Sequence, residues 1–207
     1  MAPSLVWSEI VFGALLYTGK RMLFRLLLPL AATIVLTSTA FAQMVDCACD
    51  VANAESMKAR QCSLCAEAEK HPMDKGVIVV KDINPRKPNR FLVLPRVHTP
   101  AGHRLADLTP AQRTELWTAA IAKAREFWGD KNWGIAINGD KVRTQCHTHI
   151  HISRLLPGVD WGDQFVEVGS PADIPVPGTD GLWIHPGANG KLKVHRGEQI
   201  TETVLLR

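Results

Sequence analysis

Cys146-His147-Thr148-His149-Ile150-His151-Ile152-Ser153 is the stretch on which the reading of the fold turns. Side chains alternate across a β-strand, so an extended chain here puts His147, His149 and His151 on one face and Thr148, Ile150 and Ile152 on the other. The two isoleucines read as the buried face, and the three imidazoles as a row displayed opposite them. With 8 histidines in 207 residues, three at this spacing are hard to ascribe to chance. Neutral imidazole is a common zinc ligand. It is also a nucleophile: with an ordinary pKa of about 6.5 it is available near neutral pH. It can attack phosphorus to form a phosphoramidate that water later cleaves.

Working outward, WGIAIN (133–138) reads as the preceding strand, joined to the histidine segment by GDKVRTQ (139–145). Before it, LTPAQRTELWTAAIAKAREFW (108–128) reads as a helix. Thr109 is its N-cap and Pro110 its first helical residue. Leu116, Ala120, Ala124 and Phe127 recur at helical spacing, Trp117 and Trp128 read as core packing, and Gly129-Asp130 ends it. Further upstream, VIVVKD (77–82) and RFLVLP (90–95) flank NPRKPN (84–89) and read as an antiparallel hairpin. Residues 44–61 read as a short helix or a tether. After Pro157 the chain turns Gly- and Pro-rich, then offers LWIHP, KLKVHR and ETVLLR as short strands of an extension separate from the core. The fold class is α+β, an antiparallel sheet with one main helix. The organisation is a leader (1–43), an N-terminal segment (44–61), a catalytic domain (62–156) and a β-rich C-terminal extension (157–207).

Composition narrows the partners. The chain is 46% hydrophobic and 21% charged, with net charge +4. Lys20, Arg21, Arg25 and Glu9 lie in the leader, and without them the balance falls to 21 basic against 19 acidic residues. With no basic run interleaved with aromatics, nucleic acid is excluded as the expected partner. The leader has a charged start, the apolar run LLLPLAATIVL and an Ala40-Phe41-Ala42 cleavage signal, which predicts export to the periplasm with cleavage after Ala42, or an inner-membrane anchor. Met22 would give this signal a conventional start. All five cysteines (Cys47, Cys49, Cys62, Cys65, Cys146) follow the leader. Disulfides are therefore open to them, and an odd count leaves one thiol unpaired or on a metal. Cys146 faces away from the histidines and reads as a small buried residue; His71, His103, His185 and His195 read as surface residues. P-loop, dinucleotide-binding and zinc-protease motifs are absent, so no metal is demanded for chemistry.

The three alternating histidines, with the hairpin VVKDINPRKPNRFLVLPRVH and the order strand, turn, strand, helix, strand, histidine strand, resemble the histidine-triad superfamily over residues 60–156. Within it, AINGDKVRTQCHTHIHIS resembles the bacterial CDP-diacylglycerol pyrophosphatases, and those enzymes also carry an N-terminal membrane-targeting segment. The resemblance implies hydrolysis of CDP-diacylglycerol to CMP and phosphatidate through a phospho-histidine (nucleotidyl-His) intermediate. It makes His149 the nucleophile, His151 the phosphate-contacting or ordering residue, and His147 the strand-supporting or metal-binding one. It places Asp82 at the ribose hydroxyls and Asn138, Thr144 and Gln145 among the substrate-binding groups. It further implies a homodimer, a liponucleotide substrate and contact with a membrane surface. Some histidine-triad proteins hold structural zinc with two cysteines and two histidines, and Cys62, Cys65, His98 and His147 occupy those positions. Disulfide pairing of Cys62 or Cys65 is the rival. Two other functions compete: hydrolysis or transfer on soluble dinucleotides, nucleotide sugars or phosphoramidates, and non-catalytic metal binding by an exported protein.

Overall fold

Period-two hydrophobicity in the strand segments and period-3.6 hydrophobicity in the long helix together build one sheet with a helix across it. The computed structural model describes residues 47–98, 104–159 and 164–207, so the leader lies outside the described residues. The strands are β1 (Val77–Lys81), β2 (Phe91–Pro95), β3 (Gly134–Ile137), β4 (Ile150–Ser153), β5 (Phe165–Val168), β6 (Gly181–Pro186) and β7 (Leu192–Glu198). They form a single antiparallel sheet in the order β1-β2-β4-β3-β6-β7-β5. The helices are α1 (Ala54–Met57), α2 (Ser63–Glu69) and α3 (Pro110–Trp128). The α+β expectation is met.

The caps of α3 are those the sequence announces. Thr109 Oγ1 accepts from the Gln112 amide at 3.2 Å while Gln112 Oε1 accepts from the Thr109 amide at 2.9 Å, a reciprocal capping box. Gly129, at φ +74° and ψ −171°, takes a backbone conformation open chiefly to glycine, and the helix stops there. Leu116, Trp117, Ala120 and Ala124 are buried against Val93, Ile135, Ile150 and Ile152 of the sheet. Phe127 is instead 38% exposed and stacks on Phe91 with centroids 4.3 Å apart.

Strand register sorts the two faces. On the α3 face, Ile150 pairs with Val93, and Ile152 with Ile135, which in turn pairs with Ile184. On the other face one row runs Leu92, His151, Ala136, Trp183, His195, Phe165 across six strands. Two elements share the covering of this second face. The α2 residues Leu64 and Ala68 pack on Ile78, Leu92 and Leu94, and Leu205 of the C-terminal segment packs on Ala136 and Trp183.

The structure departs from the sequence reading at four places. Residues 157–207 are no separate decoration: β6 pairs directly with β3, so the extension completes the sheet. ETVLLR is a 3₁₀ turn (Glu202–Val204) with a single bridge, Leu155 to Leu205, not a strand. The strand Phe165–Val168, unanticipated amid Gly and Pro, adds the far edge. His147 and His149 lie on the chain entering β4 rather than in its ladder. No helix among the described residues is long and apolar enough to cross a membrane.

Ile150 anchors the histidine strand and is fully buried. Ile150→Ala is expected to lower the unfolding free energy by about 2–5 kcal/mol, from lost transfer energy and the cavity left behind. Denaturant unfolding measures this, and a change under about 1 kcal/mol would mean the strand is not seated as described.

Candidate active site

The gap left on the second face between α2 and the C-terminal segment is a cleft of about 370 Å³ with His149 and His151 in its wall. Four pieces of chain surround it: the turn leading into α2 and its first residue (Arg60, Ser63), the β1–β2 turn (Asp82, Lys87), the loop before the histidines (Arg143, Thr144), and Glu202.

Each histidine is placed differently. His149 Nδ1 lies 2.8 Å from the His147 carbonyl oxygen. A carbonyl can only accept, so Nδ1 carries the proton and Nε2 keeps its lone pair. Burial, reinforced by the charge of Arg143, pushes the His149 ring down to about 4 against the pull of the His147 carbonyl, Glu202 and Asp82. The ring is therefore neutral near pH 7, with a nucleophilic nitrogen. His151 meets His149 edge-on, with ring centroids 5.0 Å apart. Burial first, then His149, hold His151 well below the usual imidazole range, with Glu202 opposing. His147 is fully buried and turned away from the cleft: its Nε2 donates to the Pro95 carbonyl at 2.7 Å, and its ring stacks on His98 at 5.6 Å.

The polar positions expected at the substrate are all in the cleft, but three are already engaged. Gln145 accepts from Ser63 Oγ at 2.8 Å and donates to the Arg60 carbonyl at 3.0 Å, which ties it to the N-terminal segment. Asn138 Oδ1 accepts the backbone amides of Thr201 and Glu202 at 3.0 and 3.1 Å, so it also positions the C-terminal segment. Asp82 Oδ1 caps the hairpin turn by accepting the Asn84 amide at 2.9 Å; the turn role and the place in the cleft coexist. Thr144 is exposed at the rim.

Two site residues were given no role from the sequence, although Arg143 lies within the quoted run AINGDKVRTQCHTHIHIS. Arg143, 3% exposed, lies 3.3 Å from Asp140 and presents a buried cation near His149. Glu202 Oε2 accepts from Lys87 Nζ at 2.6 Å and Arg90 Nη1 at 2.5 Å, and sits 3.5 Å from His151 Nδ1. Burial alone would raise the Glu202 carboxyl, but the neighbouring cations (His151 when protonated, Lys87 and Arg90) hold it down at about 2.

The cysteines correct the metal assignment. Cys62 is bonded to Cys49, and Cys146, read as a plain buried residue, is bonded to Cys47. A disulfide sulfur is no thiolate, so Cys62 drops out of the four-residue set. Cys65, His98 and His147 remain, with one donor atom each within 4.8 Å of one another. Burial pushes the Cys65 thiol up to about 11. The Cys49–Cys62 bond closes residues 49–62 on themselves, and the Cys47–Cys146 bond pins that segment against the chain next to His147, a contact extended by the Cys146 amide donating to the Gln61 carbonyl at 2.8 Å.

His185 and His195, expected at the surface, are buried on β6 and β7. His185 Nδ1 reaches the Pro186 carbonyl at 3.0 Å, so its Nε2 accepts from His195 Nε2, 3.1 Å away. Trp183 stacks on His195 at 3.6 Å. His71 is half-buried, and His103 lies outside the described residues.

The model of one protein family, described as CDP-diacylglycerol pyrophosphatase, matches residues 37–161, more than half of the chain. The matched stretch includes α1 to β4 and the three alternating histidines His147, His149 and His151. No curated protein matches the chain significantly.

Two outcomes follow from this geometry. The Cys47–Cys146 bond spans a sequence separation of 99 residues. Replacing both cysteines with serine is expected to cost about 2–5 kcal/mol of stability, the usual range for a native disulfide, as read by denaturant unfolding. The Glu202 carboxyl ionises near 2 when folded and at its ordinary 4.5 when unfolded. Its contribution to stability is therefore complete above pH 4.5 and lost as the pH falls toward 2. The stability gap between the native protein and Glu202→Gln should shrink across that window; a gap independent of pH would contradict the ion pairing.

Proposed function

Because the chain belongs to the CDP-diacylglycerol pyrophosphatase family, and is thus a phosphoanhydride hydrolase of a nucleotide–lipid substrate, we propose that it cleaves through a covalent nucleotidyl-His149 intermediate. His149 Nε2 attacks the phosphorus of the nucleoside-side phosphate. The bond to the bridging oxygen breaks, and phosphatidate leaves with the electron pair. Water then attacks the same phosphorus, the P–N bond returns its electrons to His149, and CMP departs. The observation that carries this reading is the hydrogen bond from His149 Nδ1 to the His147 carbonyl, which leaves Nε2 as the lone-pair nitrogen in a cleft wall.

The other groups divide by charge. Arg143 and Lys87 supply cationic potential for the phosphates. Thr144 and Gln145 offer donors to phosphate oxygens, and Asp82 an acceptor to ribose hydroxyls. Kinship with the histidine-triad superfamily accounts for the sequence order of these elements. An exported or anchored location, set by the leader, would bring the cleft to lipid at a membrane surface.

A structural metal is compatible with part of the site. Cys65, His98 and His147 offer one sulfur and two nitrogens, a donor set that suits zinc once Cys65 loses its proton. Such an ion would brace α2 and the end of β2 against the histidine segment. It has no part in the steps above, because His147 faces away from the cleft.

His149→Ala is expected to reduce CMP release from CDP-diacylglycerol by on the order of 10⁴-fold or more, as loss of a nucleophile does. Quenched native enzyme with substrate labelled in the nucleoside phosphate should carry acid-labile label on the protein. Near-native turnover by folded His149→Ala would sink the mechanism.

A further inference from the structure

We propose that Glu202 is a positioning residue for the reaction, holding His151 from a C-terminal segment that lies beyond the family-matched stretch. The inference rests on the reading of His149 and His151 as the reacting pair.

Glu202 is fixed at both ends. Its backbone amide donates to Asn138 Oδ1 at 3.1 Å, and its backbone carbonyl accepts from Arg90 Nη2 at 2.6 Å. Its Oε2 takes Lys87 and Arg90 as charged donors. Flanking contacts hold the rest of the segment. Thr201 Oγ1 donates to the Ile137 carbonyl at 2.8 Å, Arg90 reaches the Leu205 carbonyl at 2.9 Å, and Ser153 Oγ reaches the Leu206 carbonyl at 2.9 Å. A tail needing only a fastening would be served by these bonds without a carboxylate beside an imidazole.

His151 supplies the second half of the argument. It is 5% exposed, and among the described residues neither ring nitrogen has a hydrogen-bond partner. A buried polar ring left without partners costs free energy and calls for a functional reason. The acidic oxygen it faces is Glu202 Oε2, 3.5 Å from Nδ1 and slightly beyond a good hydrogen bond. A small closure makes Nδ1–H donate to the carboxylate, which leaves the lone pair on Nε2. In the second step water attacks phosphorus, its proton passes to His151 Nε2, and the P–N electron pair returns to His149. Glu202 then faces the imidazolium so formed. Lys87 and Arg90 keep Glu202 ionised, so it remains an acceptor throughout.

The test is Glu202→Gln, which keeps the size and removes the charge. Turnover is expected to fall about 100-fold with KM little changed, the scale of a general acid–base contribution. The ¹⁵N shifts of the His151 ring should move from an Nδ1-protonated pattern to a mixture of tautomers. A merely structural role predicts a lower melting temperature with kcat and the His151 shifts unchanged, and that result would overturn the proposal. Should Glu202→Gln fail to fold, Glu202→Asp keeps the charge for Lys87 and Arg90 but retracts the carboxylate. It must show the same loss of turnover, and full turnover by it refutes the role. The nitrogen shifts need no activity, so they test Glu202 separately from the His149 nucleophile, whose failure His149→Ala reports.

Discussion

A strand can bury only every second side chain, and residues 147–152 use that constraint in both directions. Ile150 and Ile152 are drawn under α3, and the same geometry sends His151 to the opposite face. A slip of one residue in register would place imidazoles in the apolar layer and isoleucines in the cleft. Burial of the two isoleucines therefore fixes where the chemistry faces. The cleft is what remains of that second face once α2 covers the β1–β2 side and the C-terminal segment covers Ala136 and Trp183.

The covering elements are held by unlike forces, and both reach the site. The N-terminal segment is cross-linked by two disulfides and carries Ser63 and the Arg60 carbonyl to Gln145. The C-terminal segment is gathered by one buried guanidinium. Arg90 bonds the carbonyls of Glu202, Leu205 and Leu206 along with the Glu202 carboxylate. Removing one partner from such a buried charged cluster leaves the others unpaired, which is why networks of this kind are costly to break. The cluster is also what brings a carboxylate into a cleft suited to anions. Lys87 and Arg90 offset its charge, so the local potential is not simply negative.

What the sequence made legible was local, and what it hid was not. The capped helix at Thr109–Trp128, the hairpin flanking Asn84–Asn89 and the isoleucine–histidine alternation each follow from neighbours within a few residues. Asp82, Asn138, Thr144, Gln145, His149 and His151 do converge on one cleft. Glu202 escaped because an acid in ETVLLR has no distinguishing context until Arg90 folds onto it. The pairing of Cys146 with Cys47 could not be chosen among five cysteines, nor could that of Cys62 with Cys49, which takes Cys62 out of the metal set. His185 and His195 looked like surface residues because each is buried only once the other's strand lies beside it, with His195 donating to His185 across the pair.

The three histidines also turn out to do unlike things for a reason rooted in the backbone. The chain bends at Cys146 and His147 before it enters β4, and here the His147 carbonyl meets His149 Nδ1. The main chain thus sets the tautomer of His149, which frees the His147 ring to bond Pro95 and lie with Cys65 and His98. Among the described residues no carbonyl meets either nitrogen of His151. Its orientation must come from elsewhere, and the group standing nearest for that purpose is the carboxylate of Glu202. The backbone can fix one imidazole of the pair, and a residue far along the chain is needed for the other.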